Sequence, residues 1–498
     1  MSMLSLIIFL PLAIAAVLAV VPAIPPAAAR WTWLAVSAVE LVLVGVLWAG
    51  FEEPGPNRLA YEVQVPWIPG VNSSYHVGVD GLSLPLLAMT AVIFLACAVY
   101  ALRNSERPRE QAALFLFLQG VSFGVFLAAD LILFFVFFDL SIVGMYFVIA
   151  VWGHGNAARS ALKFFLYTFL GSLALLLGFI GLFVASEPHT FDIPELVAAT
   201  PLKDSPLAGG LVLAAIVVGL AVKTPTVPFH TWLPPAHTDA PATGSAVLAA
   251  VLLKMGTYGF VRIAMPILPE AWKAWAWVII VIGIVSVLYG AFVALAQTNL
   301  KRMIAYTSVN HMGYIILALG VVGLVVDDTA QARSVAVTGA VVQMVSHGLI
   351  TAALFLLAGV MQARAGTYDM GSYGGLAAPA PRYAALFAVG AFASLGLPGL
   401  SGFIAEFQIF AGSIAVAPVT AIALLGILVT AALFLRALQR VFTGSTAGRS
   451  PGFADLHARE LWSIASLLAL SLLIGVLPQT LLEVIEPASA ALVGLIGR

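Results

Sequence analysis

The sequence predicts an all-α polytopic membrane protein of about 14 transmembrane helices, and three observations carry that reading. Of 498 residues, 62% are hydrophobic and 9% charged, with a mean hydropathy of +1.06. A soluble chain keeps roughly a quarter of its residues charged, so this one could not cover a surface facing water. The apolar residues fall into runs of about 20, the length that crosses a bilayer core of ~30 Å. All but three of the 22 lysines and arginines lie in the connections between those runs or at their ends.

In chain order the runs are 3–22, 32–51, 82–101, 112–130, 132–152, 161–185, 209–243, 245–266, 273–296, 302–325, 336–362, 383–413, 416–440 and 461–482. The first could be taken for a secretory signal. No basic side chain precedes it, however, and it is long enough to span, so it is expected to stay as a helix. Two runs are too long and too interrupted for simple helices. The stretch 209–243 contains Pro225, Pro228, Pro234, Pro235 and Pro241, and 383–413 contains Gly396, Pro398, Gly399 and Gly402. Backbone that leaves the helix at membrane depth must be buried in protein or line water. Transporters built from internal repeats show such breaks at matching places in their halves. The breaks fall in the seventh and twelfth spans, five helices apart. That spacing predicts two five-helix units, inverted because each holds an odd number of spans. The expected division is 1–111 for three N-terminal spans, 112–266 and 267–440 for the two units, and 441–498 for a cytoplasmic loop and a last span.

Basic residues set the orientation. The side reached after the first span holds 13, the opposite side six (Arg498 among them), and Lys163, Lys223 and Lys254 lie within spans. The richer side is read as cytoplasmic, which places both termini on the non-cytoplasmic side of the membrane, the cell inner membrane. The net charge of −1 gives no reason to expect a nucleic-acid partner; lipid is the expected surrounding. The single cysteine, Cys97, excludes an intrachain disulfide and cannot hold an iron–sulfur cluster.

An ionisable residue near the bilayer centre is costly and is a functional candidate by default. The candidates are Asp139 in the fifth span, Lys223 just before the break in the seventh, Lys254 near the middle of the eighth, His311 and His347 in the tenth and eleventh, and Glu406 just after the break in the twelfth. Bland readings stand beside them. Lys254 lies too deep in its run to snorkel, whereas Lys163, near a span start, could do so. Glu40 could simply face a neighbouring helix, Asp130 sits at a span end and Arg262 at the outer interface. His311 and His347 could be packing histidines. His230 and His237 are seven positions apart with two prolines between them, and no cysteine or acidic partner completes a metal site there. Burial disfavours a charged ammonium and a nearby carboxylate favours it. A buried lysine with a movable partner can therefore take up and release a proton, which makes Asp139 a natural partner for Lys223.

The segment KTPTVPFHTWLPPAHTDAPATGSAVLAAVLLKMGTYGFVR, with LKRMIAYTSVNHMGYI and SLGLPGLSGFIAEF, resembles the antiporter-like subunits of respiratory complex I. That family is related to Mrp-type sodium/proton antiporters and to membrane subunits of energy-converting hydrogenases. The resemblance runs through spans four to thirteen. Glutamate at position 406, where most of these subunits carry lysine, and the lack of room for a long lateral helix after residue 482 resemble the subunit M (chain 4) branch. The resemblance implies a proton-translocating membrane-arm subunit of NADH–quinone oxidoreductase. Lys223 and Lys254 then match the family's lysines of the seventh and eighth spans. It also implies that other membrane-arm subunits are the partners, and that no NADH, flavin, cluster or quinone is held by this chain. An Mrp-type antiporter subunit is the alternative reading, and a purely structural scaffold is a third. One departure stands out. The family carries glutamate in the fifth span where this chain has Asp139, one methylene shorter, so a longer or water-bridged contact with Lys223 is expected.

Overall fold

The computed structural model describes residues 2–55, 58–103 and 106–497; Arg498 lies outside the described residues. Two helices, α1 (Met3–Val20) and α2 (Pro26–Ala49), lead into a hairpin of β1 (Ala60–Ile68) and β2 (Ser73–Val79), which are antiparallel. There follow α3 (Leu84–Ala101), α4 (Pro108–Leu127), α5 (Leu131–Trp152), α6 (Ala157–Ala185), the short α7 (Ile193–Ala199), α8 (Pro206–Lys223) and α9 (Leu233–Asp239). Next come α10 (Ala242–Ile267), α11 (Pro269–Leu295), α12 (Leu300–Val322) and α13 (Ala330–Ala365). The chain ends with α14 (Pro381–Ser394), α15 (Ser401–Val416), α16 (Pro418–Phe442), α17 (Ala458–Val476) and α18 (Gln479–Ile496). Proline opens α2, α4, α8, α11, α14 and α16, where its missing N–H costs no hydrogen bond. Asp130 caps α5, accepting from the N–H groups of Ile132 and Leu133, and so stands at a span end as expected.

Among the described residues, 14 helices are long and apolar enough to cross a membrane. The number agrees with the sequence reading, but the membership does not. The twelfth crossing is made by α14 and α15 together, 14 and 16 residues long and each too short alone. The expected last span over 461–482 is cut at Pro478, and α18 begins where a single helix was expected to be ending. That helix is two-faced: Leu481, Ile485, Ala488, Leu492 and Ile496 are buried, while Glu483 and Glu486 are exposed. It packs along the start of α3, where Gly81 meets the Val484 carbonyl, and finishes beside Arg333 in the first turns of α13. It therefore packs on the same end of the bundle as the chain leaving the hairpin.

The hairpin was not foreseen and is firmly held. His76 on β2 lies between Glu62 Oε1, at 2.6 Å from its Nε2, and the Asp192 carboxylate at the start of α7. The Asp130 carboxylate accepts from the Ser73 hydroxyl and the Ser74 N–H, each at 3.1 Å. Arg262, placed at this interface by the sequence, pairs with Asp80 at 2.8 Å. At the centre of the bundle stand α10, α12 and α13. In each, 94% of the most apolar window is buried, against 28–44% for α1, α2, α6 and α11. Lys254, His311 and His347 stand on the central three helices, while Asp139, Lys223 and Glu406 reach in from α5, α8 and α15.

Candidate functional site

The seventh-span break starts at Lys223, the last residue of α8. Thr224 leaves the helix and Pro225, with no N–H to continue it, ends the run before α9 begins. Carbonyls and amides freed at such a break must find partners inside protein, and here they do. Trp232 Nε1 donates to the Val222 carbonyl at 2.9 Å, and the Ser286 hydroxyl of α11 accepts the Val227 N–H at 3.0 Å. Lys163 Nζ donates to the Thr231 carbonyl at 2.7 Å, so it is anchored and not merely snorkelling. Lys301 Nζ reaches the Ala240 carbonyl at 2.5 Å and the Thr238 carbonyl at 3.5 Å, capping the C-terminal end of α9. Lys301 was counted as a loop cation in the sequence, yet it is fully buried.

Lys223 is 1% exposed. Its Nζ does not ion-pair with Asp139. It donates to the Ser141 hydroxyl at 2.8 Å and lies 4.7 Å from the centroid of the Phe138 ring. Asp139 stands two positions before Ser141, on a different face of α5, and finds its hydrogen-bond partner in Ser172 of α6. One Asp139 oxygen is buried without a partner. Thr224, beside Lys223, has a buried hydroxyl without a partner and abuts Gly256 of α10, where no Cβ would fit.

Lys254 is fully buried two residues before Gly256. Its Nζ donates to the Ala249 carbonyl at 2.6 Å and lies 2.6 Å from His347 Nδ1. The carbonyl is within reach because α10 is wound as a π-helix over Leu248–Leu252, and again over Phe260–Ala264. Such wide turns are rare and often mark functional positions. The His347 ring meets the His311 ring edge-on at 5.3 Å between centroids. His311 Nε2 lies 3.2 Å from the Ser394 carbonyl, freed where α14 stops, and 3.8 Å from Glu406 Oε1.

The second break is shaped around Glu406. Gly396 has φ +77°, a left-handed conformation that costs other residues about 1–2 kcal/mol. A Cβ there would stand 2.6 Å from Glu406 Oε2. Glycine thus provides both the turn and the space for the carboxylate. A small cavity lined by His311, Gln343, Ser346, His347, Ser394 and Glu406 offers about 10 Å³ to the centre of a water molecule, room for roughly one water. It bridges the gap between His311 and Glu406, which is too long for a hydrogen bond.

The structure thus brings four of the six sequence candidates, Lys254, His347, His311 and Glu406, into one buried sequence of contacts. Asp139 and Lys223 form a second group one helix away. His230 and His237 hydrogen-bond to neither group: they pack on Tyr289 and Phe355, with ring centroids at 4.9 and 4.5 Å, and His237 stands near enough to feel the charges of Lys254 and Lys301. Sequence reasoning missed Ser141, Thr224 and Lys301. Small hydroxyls carry no signal in an apolar run, and a lysine at a span end reads as solvated.

Residues 128–434 match the family model described as NADH:quinone oxidoreductase/Mrp antiporter, transmembrane. NADH-quinone oxidoreductase subunit M of Rhodobacter capsulatus is 38% identical over 508 aligned residues, covering 99% of this chain and 96% of that one. The chain belongs to the subunit M branch of the NADH:quinone oxidoreductase/Mrp antiporter family. A membrane chain of respiratory complex I from Thermus thermophilus superposes with a TM-score of 0.88 at 31% identity, covering 99% of this chain and 100% of that one. A chain of the Mrp complex from Dietzia sp. DQ12-45-1b has a TM-score of 0.85 at 21% identity, covering 99% of each, and shares the fold. The family match begins at the end of α4 and stops within α16, so both broken segments and all six candidates lie inside it.

Proposed function

We propose that this chain is the proton-translocating membrane-arm subunit of an NADH–quinone oxidoreductase, moving protons across the membrane while quinone is reduced elsewhere in the complex. The observation that carries the proposal is the contact sequence Lys254–His347–His311–Glu406, which crosses four helices in the best-buried part of the bundle. Charges at this depth cost about 2.5–3.5 kcal/mol each and persist where they have work to do.

The proton accounting starts from one hydrogen bond and continues through the ring contact of His347 with His311. Lys254 as ammonium donates one N–H to Ala249 and another to His347 Nδ1. Accepting at Nδ1 requires the neutral imidazole with its proton on Nε2. Passing the shared proton leaves Lys254 as an amine and His347 as an imidazolium, which returns to neutral by releasing a proton toward His311. From His311 a single water in the cavity reaches Glu406, since the direct 3.8 Å gap is too wide. On the other side, Thr224 stands between Lys223 and α10, positioned to pass a proton through water between the two lysines. Asp139 acts on Lys223 as a nearby negative charge and not as a contact partner.

This reading includes two inverted five-helix units, with breaks between α8 and α10 and between α14 and α15. It places the chain in the inner membrane with both termini outside the cytoplasm and other membrane-arm subunits beside it. It assigns redox chemistry to those other subunits, consistent with a lone buried cysteine here. The test is proton uptake per NADH oxidised by the intact complex in proteoliposomes. Lys223→Ala and Glu406→Ala are expected to lower that ratio, and an unchanged ratio in both rejects the proposal. Affinity purification through a tag on this chain separates the alternative: Mrp-type subunits in place of quinone-reductase subunits would favour an antiporter.

A further inference from the structure

Outside the row just described, one buried carboxylate has no assigned role. Glu40 lies in the middle of α2, fully buried, and both of its oxygens lack a hydrogen-bond partner. It belongs to the inward stripe of α2 with Trp33 and Ser37, at helical spacing. That stripe packs on α4, where Gln111, Phe115 and Gln119 recur every four residues. Two contacts fix the register: the Trp33 and Phe115 rings are 4.7 Å apart, and the Ser37 hydroxyl donates to Gln119 Oε1 at 2.9 Å. The same seam holds three more buried polar atoms without partners, namely Gln119 Nε2, Trp33 Nε1 and Gln111 Oε1. Gln111 in turn lines a cavity of about 400 Å³ among the ends of α3, α5 and α13, with Glu106, His154 and Glu460 in its wall.

Buried polar groups in folded proteins are almost always satisfied, by protein or by ordered water, and each orphan needs an explanation. Four of these atoms belong to Glu40, Trp33 and Gln119 on the facing stripes, and the fifth, on Gln111, stands two turns earlier on α4 at the cavity wall. An ionised Glu40 would be an unpaired charge in the interior, which costs several kcal/mol. A protonated Glu40 is a donor as well as an acceptor, and with Gln119 it can hold a short line of water.

We propose that Glu40 is a proton-binding site of its own, carrying a proton in the resting protein and exchanging it with the cavity at Gln111 through the Gln119–Trp33 seam. It is separate from the Lys254–Glu406 row and does not depend on the chain pumping protons. Its ligand is a proton delivered by water. No metal or organic group is involved, and the carboxylic acid O–H simply exchanges with the solvent pool.

Infrared difference spectroscopy on the intact membrane complex tests this. The Glu40→Gln variant is expected to lose one protonated-carboxyl stretching band, and Glu40→Asp to keep a shifted one. In heavy water the native band is expected to shift within minutes, and Gln119→Leu to slow that exchange by about tenfold or more, a barrier rise of ~1.4 kcal/mol. No band lost in Glu40→Gln would mean an ionised side chain and would overturn the proposal. A band that never exchanges would mean a sealed packing group and would overturn it equally. If Glu40→Gln fails to assemble, Glu40→Asp and Gln119→Leu give the same readouts. Proton-pumping ratios are not the readout, so failure here leaves the proposed function standing, and the reverse holds as well.

Discussion

At position 139 the aspartate makes no direct contact with Lys223. With aspartate there, Nζ settles on Ser141 and the Phe138 ring, and the carboxylate acts from a distance. Restoring the longer acid by Asp139→Glu is expected to bring carboxylate and ammonium into direct contact. Pumping should continue but with an altered pH dependence, read as proton uptake across a pH series. Lys254 is less forgiving. Lys254→Met removes the donor to both Ala249 and His347 and is expected to cut proton uptake per electron by about tenfold, roughly 1.4 kcal/mol of barrier, with NADH dehydrogenation by the soluble arm unaffected. Gly396→Ala combines left-handed strain of about 1–2 kcal/mol with a clash against Glu406. It is expected to lower the thermal midpoint of the purified complex, and an unshifted midpoint would show that the break can relax. Most of these residues were visible in the sequence, because an isolated charge in an apolar run stands out by cost alone. Their partners were not. Ser141 and Thr224 look like any small residue tolerated in a helix, and the contact of Lys254 with His347 joins residues 93 positions apart.

At the scale of the element, proline and glycine marked both broken helices correctly, because each either removes an N–H or permits a backbone that other residues avoid. What holds the breaks in place was hidden. Lys301 caps α9 from a position that charge counting assigned to the cytoplasmic surface, since its depth follows from how α12 packs and not from local composition. Lys301→Met is expected to leave buried carbonyls without a donor, at about 1–3 kcal/mol. The measurable result is faster hydrogen exchange across 224–241. Unchanged exchange there would mean that water replaces the ammonium. The π-turns of α10 were equally illegible, because they differ from α-helix only in which carbonyl each amide chooses. Pro478 was in plain view, but the apolar run on either side concealed that α17 stops there and a separate α18 begins.

For the molecule as a whole, one end of the bundle is tied together by the hairpin, α7 and α18. His76 is the titratable centre of the tie. Burial alone would lower its imidazole, but the Asp192 and Glu62 carboxylates on either side outweigh it and hold it above its ordinary value. A group raised in the folded state stabilises fully below its unfolded value and loses that contribution as pH rises through the folded one. The hairpin is therefore expected to loosen as the solution it faces turns alkaline. Hydrogen exchange of residues 60–79 should rise with pH beyond the intrinsic rate, and His76→Gln should abolish that extra dependence. A native hairpin indifferent to pH would count against the assignment.

The two wide turns of α10 have a mechanical consequence. Each stores one residue of slack, and Lys254 sits on the seven-residue segment between them, Leu253–Gly259. Moving slack from one turn to the other advances that segment by a residue relative to its ends. In an α-helix one residue is about 100° of rotation for ~1.5 Å of travel. The middle of α10 is thus mounted like a shaft between two bearings. It can swing a lysine from one neighbour to another while both ends of the helix stay anchored in the bundle.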